Sequence, residues 1–193
     1  DEDNFSPLTY AANFLGIDLI KEFIKAGADV EKEITILKEM EKTNPSLSTL
    51  RLRLLIAAEK EKEVIELGET LCDIKNIEAC IEISNYFMDK KSYKESLSFA
   101  KKAREIDPLN TSVLNNTGWI YILTNDLANG EKETKNSVEL DPKNSAHFNL
   151  GHIYLLKGRD EEATLHYYKA LEAFAKKGVD TRAIVKDDFA LLR

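Results

Sequence analysis

Three histidines and two cysteines are the side chains of this 193-residue chain that most readily bind metals or form nucleophiles. His147 and His152 lie five positions apart, which on a helix separates their side chains by about 140°. Glu162 and His166 share a helical face, but no further ligand follows them, whereas protein metal sites use about three or four ligands. We therefore predict no metal site and no cofactor.

Sequence motifs of catalysis are also missing. There is no Gly-x-x-x-x-Gly-Lys loop for phosphates, no Gly-x-Ser-x-Gly elbow and no His-Glu-x-x-His pair. Asp187 and Asp188 are neighbours, so on a helix their carboxylates point in different directions. We predict no catalytic residues and expect the chain not to be an enzyme.

Cys72 and Cys80 are the only cysteines. They are too few for a disulfide scaffold and lack the Cys-x-x-Cys spacing, so we expect both to be small, buried apolar residues. A reducing compartment, and therefore the cytoplasm, is the expected location.

The charge balance limits the class of partner. The chain has 27 Lys and Arg against 34 Asp and Glu, a net charge of −7, and a pI near 5.2. This argues against binding nucleic acid or an anionic membrane and favours a basic partner or a neutral peptide. No stretch approaches the roughly 20 apolar residues needed to cross a bilayer, so we expect a soluble chain.

Composition also indicates the fold class. Only 8 Gly and 4 Pro interrupt the chain, and its charged residues, 32% of the total, are mixed in sign and spread along it. Such a pattern is typical of solvated helix faces. We therefore predict an all-α protein.

An internal repeat organises these helices. The segments "REIDPLN" (Arg104 to Asn110) and "VELDPKN" (Val138 to Asn144) place their prolines 142 − 108 = 34 residues apart. A fixed period of this length is typical of repeat proteins. Small residues and aromatics recur at matching offsets in three units: Ser84, Phe87, Ser96 and Ala103; Gly118, Tyr121, Gly130 and Ser137; Gly151, Tyr154, Ala163 and Ala170.

This pattern resembles the tetratricopeptide repeat, a helix-turn-helix unit of about 34 residues. The clearest copy is "NSAHFNLGHIYLLKGRDEEATLHYYKALEAF", and the resemblance covers about 45–177 in four units, 45–75, 76–108, 109–142 and 143–177. The unit 109–142 departs from the family at Gly130, Thr134 and Ser137, so we expect its second helix to pack loosely. The resemblance implies an α-solenoid of stacked hairpins that forms a right-handed arc.

The amino-terminal segment "SPLTYAANFLGIDLIKEFIKAGADV" differs from these units. Within 1–30, Ser6 to Thr9 stands where ankyrin repeats have Thr-Pro-Leu-His, so the segment resembles one ankyrin repeat. It departs from that family at Asn4 and Thr9. The alternative pairs Leu15 to Ala26 with Glu31 to Lys42 as a divergent tetratricopeptide hairpin. In the first interpretation, 31–44 is a connecting helix.

At the other end, residues 178–193 are predicted to form a capping helix. Gly178 is expected to end the last repeat helix, and Asp180 is a suitable N-cap for "TRAIVKDDFALLR". The helix would cover the exposed core of the last repeat. Alternatively, it would dock a following domain.

The resemblance also implies a binding surface. In tetratricopeptide proteins the first helix of each unit lines a concave groove that receives peptides or partner helices. Carried over by alignment, the predicted partner-binding residues are Asn85, Asn115, Asn116, Trp119, Phe148, Asn149 and His152. Trp119 is the expected anchor, because large aromatics dominate interface energetics; alternatively, it only packs between repeats.

One specialised form of this groove is not expected. Family members that clamp the carboxylate of chaperone tails use basic residues at positions that are Ile81, Phe148, Asn149 and His152 here. Because the basic residues of the clamp are missing, we expect this chain to have no strong preference for an acidic chaperone tail.

The function predicted from the sequence is a non-catalytic protein-protein interaction module or scaffold. It would bind a peptide or partner protein in the concave groove, with no role in binding nucleic acid or membranes. The alternative is a regulatory or substrate-recruiting segment of a larger signalling or effector enzyme whose catalytic domain lies outside this chain. The sequence decides neither the partner nor the oligomeric state.

Overall fold

Helices joined by short turns and loops make up the described part of the chain, which contains no β-strand. A computed structural model describes residues 6–175, and the predicted capping helix at 178–193 lies outside them. A short 3-10 helix at Pro45–Leu47 separates α3 from α4. The helices are α1 (Pro7–Phe14), α2 (Ile17–Lys25), α3 (Val30–Met40), α4 (Ser48–Ala57), α5 (Glu61–Asp73), α6 (Ile77–Asp89), α7 (Tyr93–Ile106), α8 (Thr111–Leu123), α9 (Leu127–Leu140), α10 (Ala146–Leu156) and α11 (Asp160–Ala175).

The chain divides into two compact units. The first unit ends at Tyr86 and the second begins at Phe87, so the division falls within α6. The predicted ankyrin-like segment lies in the first unit. The predicted tetratricopeptide units 109–142 and 143–177 lie in the second.

The first unit begins with a capped helix. Ser6 is the N-cap of α1 and accepts a hydrogen bond from the Thr9 backbone N–H at 3.1 Å, and Pro7 suits the first helical position because its fixed φ is helical. The Thr9 hydroxyl then donates to Oε2 of Glu33 at 2.8 Å, which connects α1 to α3.

The packing of α2 bears on the alternative interpretation of the amino-terminal segment. Gly16 adopts a φ of +88° between α1 and α2, a conformation that glycine reaches without steric cost. Helix α2 packs against α1 and α4, whereas α3 packs chiefly against α4. The alternative hairpin of Leu15 to Ala26 with Glu31 to Lys42 is therefore not the pairing in the structure.

Helix α4 is the centre of the first unit. Leu52, Leu54 and Leu55 are fully buried, and the helix is apolar on nearly every side, as expected of a helix that is surrounded by others. Arg51 and Arg53 are the charged residues on this helix. The Arg53 side chain is 15% exposed and donates to the Ala12 carbonyl at 2.9 Å and to Oε1 of Glu82 at 2.8 Å.

The two cysteines are buried as predicted, but the expectation of two independent apolar residues is wrong. Their exposures are 5% and 0%, and their sulfur atoms are bonded to each other. The turn between α5 and α6 brings the Cα atoms of Cys72 and Cys80 to 5.3 Å, within the usual range for a disulfide. The eight-residue spacing of the two cysteines in the sequence does not by itself predict a disulfide.

The two Asp-Pro pairs end their helices as the repeat pattern predicts. Asp107 has a φ of −133° at the end of α7, and Asp141 has a φ of −137° at the end of α9. Both are extended because the following proline disfavours helical geometry in the residue before it.

Helix α9 does not pack loosely, contrary to the prediction. A Cβ atom added to Gly130 would lie 3.3 Å from the backbone O of Gly118 on α8, so the two backbones approach closely. The Ser137 hydroxyl donates to the Thr111 carbonyl at 2.9 Å. The residues at which this unit departs from the tetratricopeptide pattern are small. They therefore allow a tight contact, since no large side chain separates the two helices.

Helix α10 is the centre of the second unit and is buried from Ala146 to Tyr154. The loop before it is fixed by Asn144, whose Nδ2 donates to the Ser137 carbonyl at 2.9 Å. Oδ1 of Asn144 accepts the Ala146 backbone N–H at 2.9 Å. The side chains of α10 are therefore held in register against α8 and α11.

Candidate functional site

A cleft in the second unit brings together five of the seven predicted partner-binding residues. Its volume is about 290 Å³, close to the lower end of the roughly 300 to 1,000 Å³ typical of small-molecule pockets. We call it the amide-aromatic cleft. The described residues that line it are Asn115, Asn116, Trp119, Ser145, Phe148, Asn149 and Phe174.

Helices α8 and α10 supply most of these side chains, and α11 supplies Phe174. Asn115, Asn116 and Trp119 lie on α8 at positions i, i+1 and i+4, which places them on adjoining parts of one helix face. Phe148 and Asn149 lie on α10, which contacts α8 directly. The cleft therefore forms where the first helices of two successive predicted units meet.

A pair of amides connects these two helices. Nδ2 of Asn149 donates to the backbone O of Asn115 at 3.1 Å and to its Oδ1 at 2.8 Å. Nδ2 of Asn115 donates in turn to the Ser145 hydroxyl at 3.3 Å. The amides are held in place before any ligand arrives, which lowers the entropy cost of binding.

Aromatic rings form the apolar part of the cleft. The rings of Phe148 and Phe174 lie 5.5 Å apart, a usual distance for an aromatic pair. Trp119 is partly buried, lines the cleft, and also packs against the core cluster that contains Leu150 and Ile153. Trp119 therefore contacts both the core and the cleft, and its role as an anchor stays a prediction.

His152 is a correction to the predicted site. It is 0% exposed, and its Nδ1 forms a 2.8 Å hydrogen bond with the hydroxyl of Tyr167. Its ring lies 5.6 Å from that of Trp119. Because α10 is enclosed at this position, His152 does not face the cleft; it supports Trp119 from inside the unit.

Asn85 belongs to the other compact unit, and its place in the groove stays a prediction. It lies on α6 in the first unit and is half-buried. The sequence alignment placed it in a groove shared with the other six residues.

Phe174 lines the cleft but was not predicted from the sequence. It lies on α11, seven positions after Tyr167, and this spacing of about two helical turns puts both rings on one side of the helix. The ring of Tyr167 is also close to Phe148, at 6.5 Å. The seven-residue spacing of Tyr167 and Phe174 was the feature of the sequence from which Phe174 could have been predicted.

Uncharged side chains make up the described lining of the cleft. No Asp, Glu, Lys, Arg or His is among the described residues that line it. The described lining therefore offers hydrogen-bonding groups and apolar rings but no group to neutralise a buried charge, and burying an unpaired charge is strongly unfavourable.

A second polar cluster in this unit pairs two histidines. Nδ1 of His147 lies 2.9 Å from Nδ1 of His166, and Nε2 of His147 lies 3.0 Å from the Pro142 carbonyl. Because a carbonyl only accepts, Nε2 of His147 donates to it, and the neutral pair needs Nδ1 of His166 as the donor to Nδ1 of His147. Within 6–175, no three His, Cys, Asp or Glu side chains converge on a metal-sized site.

None of the helices within residues 6–175 has the length and apolar character that are needed to cross a membrane.

Solved structures with the same fold are tetratricopeptide-type proteins. The structure of MamA 41-end from Desulfovibrio magneticus RS-1 is 16% identical, with a TM-score of 0.65, 90% of this chain covered and 99% of that chain. TTC0263, a thermophilic TPR protein in Thermus thermophilus, is 21% identical, with a TM-score of 0.60 and coverage of 89% and 96%. The chain therefore has an all-helical tetratricopeptide-like repeat fold, which is typical of protein-interaction modules.

Sequence comparisons assign the family. A tetratricopeptide repeat model matches residues 145–177, which is the copy that the sequence analysis found clearest. No curated protein matches the chain. The ankyrin-like interpretation of 1–30 is not confirmed. The family model ChAPs (Chs5p-Arf1p-binding proteins) matches residues 4–150, well over half of the chain, so the protein belongs to the ChAPs family.

Proposed function

We propose that this chain is a non-catalytic protein-interaction module that binds a partner protein through the amide-aromatic cleft. The single observation that supports this most is the convergence of Asn115, Asn116, Trp119, Phe148 and Asn149 on one cleft. Amides that donate and accept, beside large rigid aromatics, are typical of surfaces that recognise a polypeptide.

The family gives the class of partner. Its description names proteins that bind Chs5p and Arf1p, so we propose partners of the Chs5p or Arf1p type for this chain. Partners of this type support a cytoplasmic location, although a disulfide such as Cys72–Cys80 is uncommon there. The net charge of −7 disfavours nucleic acid and anionic membranes as the principal ligands.

The proposed domain organisation follows the sequence analysis. The four repeats at 45–75, 76–108, 109–142 and 143–177 would form the interaction module, with their first helices facing a concave groove. The ankyrin-like pair α1 and α2, the connecting helix at 31–44 and the cap at 178–193 would shield the ends of this stack, because a terminal repeat has no neighbour on one side.

The test is a binding assay with Trp119→Ala. Purified Chs5p-type and Arf1p-type proteins are titrated against the immobilised chain by biolayer interferometry. We expect one of them to bind the wild type and to lose about 2 kcal/mol or more of binding free energy with Trp119→Ala.

The matched control is Tyr168→Ala. Tyr168 is an aromatic of the same unit that is 66% exposed and does not line the cleft, so its removal should leave binding unchanged. Circular dichroism confirms that both variants stay folded, and Asn116→Ala replaces Trp119→Ala if the latter does not. Equal losses in cleft and control variants, or none, would reject the cleft as the binding site.

A further inference from the structure

Asn149 holds a hydrogen-bond acceptor that nothing in the described structure uses. The residue is 7% exposed. Both of its side-chain hydrogen bonds are donated by Nδ2 to Asn115. The orientation of the amide is fixed, because the Asn115 backbone O can only accept and must face the nitrogen. Oδ1 of Asn149 therefore points away from Asn115 and accepts no hydrogen bond within residues 6–175.

This acceptor belongs to a residue that lines the amide-aromatic cleft. Asn149 lines the cleft, and Oδ1 is not among the fully enclosed side-chain atoms without a partner in the described residues. An amide oxygen that is not fully enclosed can accept a hydrogen bond from a ligand in the cleft. The site is therefore prepared for an N–H donor.

The surroundings of this acceptor define the rest of the ligand. Trp119, Phe148 and Phe174 present apolar rings, against which a large apolar side chain would gain favourable contacts. The described lining carries no charge, so a carboxylate, phosphate or ammonium group would lose its hydration without receiving a counter-charge. A cleft of about 290 Å³ suits one large side chain with its flanking backbone better than a larger ligand.

We propose that the amide-aromatic cleft selects an uncharged, extended peptide segment that donates one backbone N–H to Oδ1 of Asn149 and places an apolar side chain against the aromatic rings. This inference rests on the proposed function and specifies the chemistry of the partner. It predicts that a charged side chain at the same place is rejected.

The test uses capped peptides as probes. Ac-Ala-Phe-Ala-NHMe, Ac-Ala-Glu-Ala-NHMe and Ac-Ala-Lys-Ala-NHMe are titrated into the full chain. Binding is followed by ¹⁵N NMR of the Asn115, Asn116 and Asn149 side-chain amides and by the fluorescence of Trp119, which is the only tryptophan. We expect saturable changes with the Phe peptide and binding at least about tenfold weaker with the Glu and Lys peptides.

Methylation of the probe tests the hydrogen bond without altering the protein. Each backbone nitrogen of the Phe peptide is methylated in turn, and we expect one position to weaken binding by about tenfold while the others change it little. Equal binding of all methylated peptides, or binding of the Glu or Lys peptide as tight as that of the Phe peptide, would overturn the inference.

Failure of this inference can be told apart from failure of the proposed function. If none of the peptides shifts the Asn149 amide but a Chs5p-type or Arf1p-type protein still loses affinity with Trp119→Ala, the cleft binds protein through other chemistry and this inference is wrong. If the whole partner binds wild type and Trp119→Ala equally, the proposed function itself is wrong.

Discussion

Gly118 on α8 lies so close to Thr134 on α9 that a Cβ atom added to the glycine would overlap Oγ1 of the threonine. Thr134 is fully buried, and this hydroxyl has no hydrogen-bond partner within the described residues. The two residues therefore mark a place where the helices approach too closely for a side chain on α8. Helix α8, which contributes Gly118 to this contact, also carries Trp119.

Gly118→Ala should destabilise the second unit. The added methyl group would overlap Oγ1 of Thr134, and overpacking of this kind costs about 1 to 3 kcal/mol. Urea denaturation followed by far-ultraviolet circular dichroism measures the change in the free energy of unfolding.

The same contact provides a suppressor. Thr134→Ala removes Oγ1, after which the nearest atoms to the new methyl group are backbone atoms of Gly130 and Thr134 at 3.4 Å. The double variant should recover most of the stability lost by Gly118→Ala. If the two single effects simply add, the closeness of these residues does not limit packing.

The histidine pair predicts a loss of stability in mild acid. Burial, then repulsion by His147 and Lys169, lowers the pKa of His166 from 6.5 to about 4, and burial also lowers the pKa of His147. The unfolded chain therefore binds protons first, so this contribution to stability is complete above pH 6.5 and is lost as the pH falls towards 4. The expected loss is on the order of 2 kcal/mol.

His166→Asn tests this pH dependence. The Asn side chain cannot take up a proton in this range, and its amide can still donate near the position of Nδ1. We expect the free energy of unfolding of the variant to vary less between pH 7 and 4 than that of the wild type. An unchanged slope would show that the pair does not control the acid response.

Arg53 should stabilise the first unit more than an exposed ion pair does. Its side chain is 15% exposed, and the guanidinium binds both the Ala12 carbonyl and Glu82, so Arg53→Ala leaves two partly buried acceptors unpaired. We expect a loss of about 2 to 4 kcal/mol and faster hydrogen exchange in α1.

The control for Arg53 is Lys25→Ala. The Lys25 and Glu22 side chains are 71% and 64% exposed, and exposed pairs contribute little, about 0.2 to 1 kcal/mol. Similar losses in the two variants would contradict the role assigned to Arg53.

Glu131 should make the second unit sensitive to stronger acid. Burial by itself raises the pKa of Glu131, but hydrogen bonds from Lys135 and Lys157 outweigh it and lower the pKa from 4.5 to about 2. Its contribution is therefore present above pH 4.5 and lost as the pH falls from 4.5 towards 2. Glu131→Gln should cost about 1 to 3 kcal/mol at pH 7.

The pH dependence separates this effect from a packing defect. The difference in unfolding free energy between wild type and Glu131→Gln should shrink between pH 5 and 3, as urea titrations at several pH values would measure. Glu39→Gln, in a pair whose side chains are 67% and 65% exposed, should show almost no difference at any pH. A constant difference for Glu131→Gln would indicate a packing effect instead.

Much of the repeat fold was predictable because its signals are local. Asp107 and Asp141, each before a proline, end helices at the expected places, since the proline acts on the residue next to it. The copy around Gly151 matches the tetratricopeptide model directly. The pairing of Cys72 with Cys80 was not predictable, because it depends on the course of one turn between two helices.

The candidate site was predictable only in part. The sequence placed Asn115, Trp119 and Asn149 on a common surface by repeat alignment, and they do meet in one cleft. It placed His152 there as well, although α10 turns that residue inward to Tyr167. Repeat alignment gives the face of a helix but not how deeply the next helix covers it.

The sequence by itself determined the helices, their period, the charge of the surface and the residue types available to a partner, because these depend on local geometry and composition. Only the tertiary structure decided which of those residues meet. The direction of the Asn149 amide, the enclosure of His152, the addition of Phe174 and the tight contact at Gly118 all depend on distances between separate helices, and side-chain packing sets those distances.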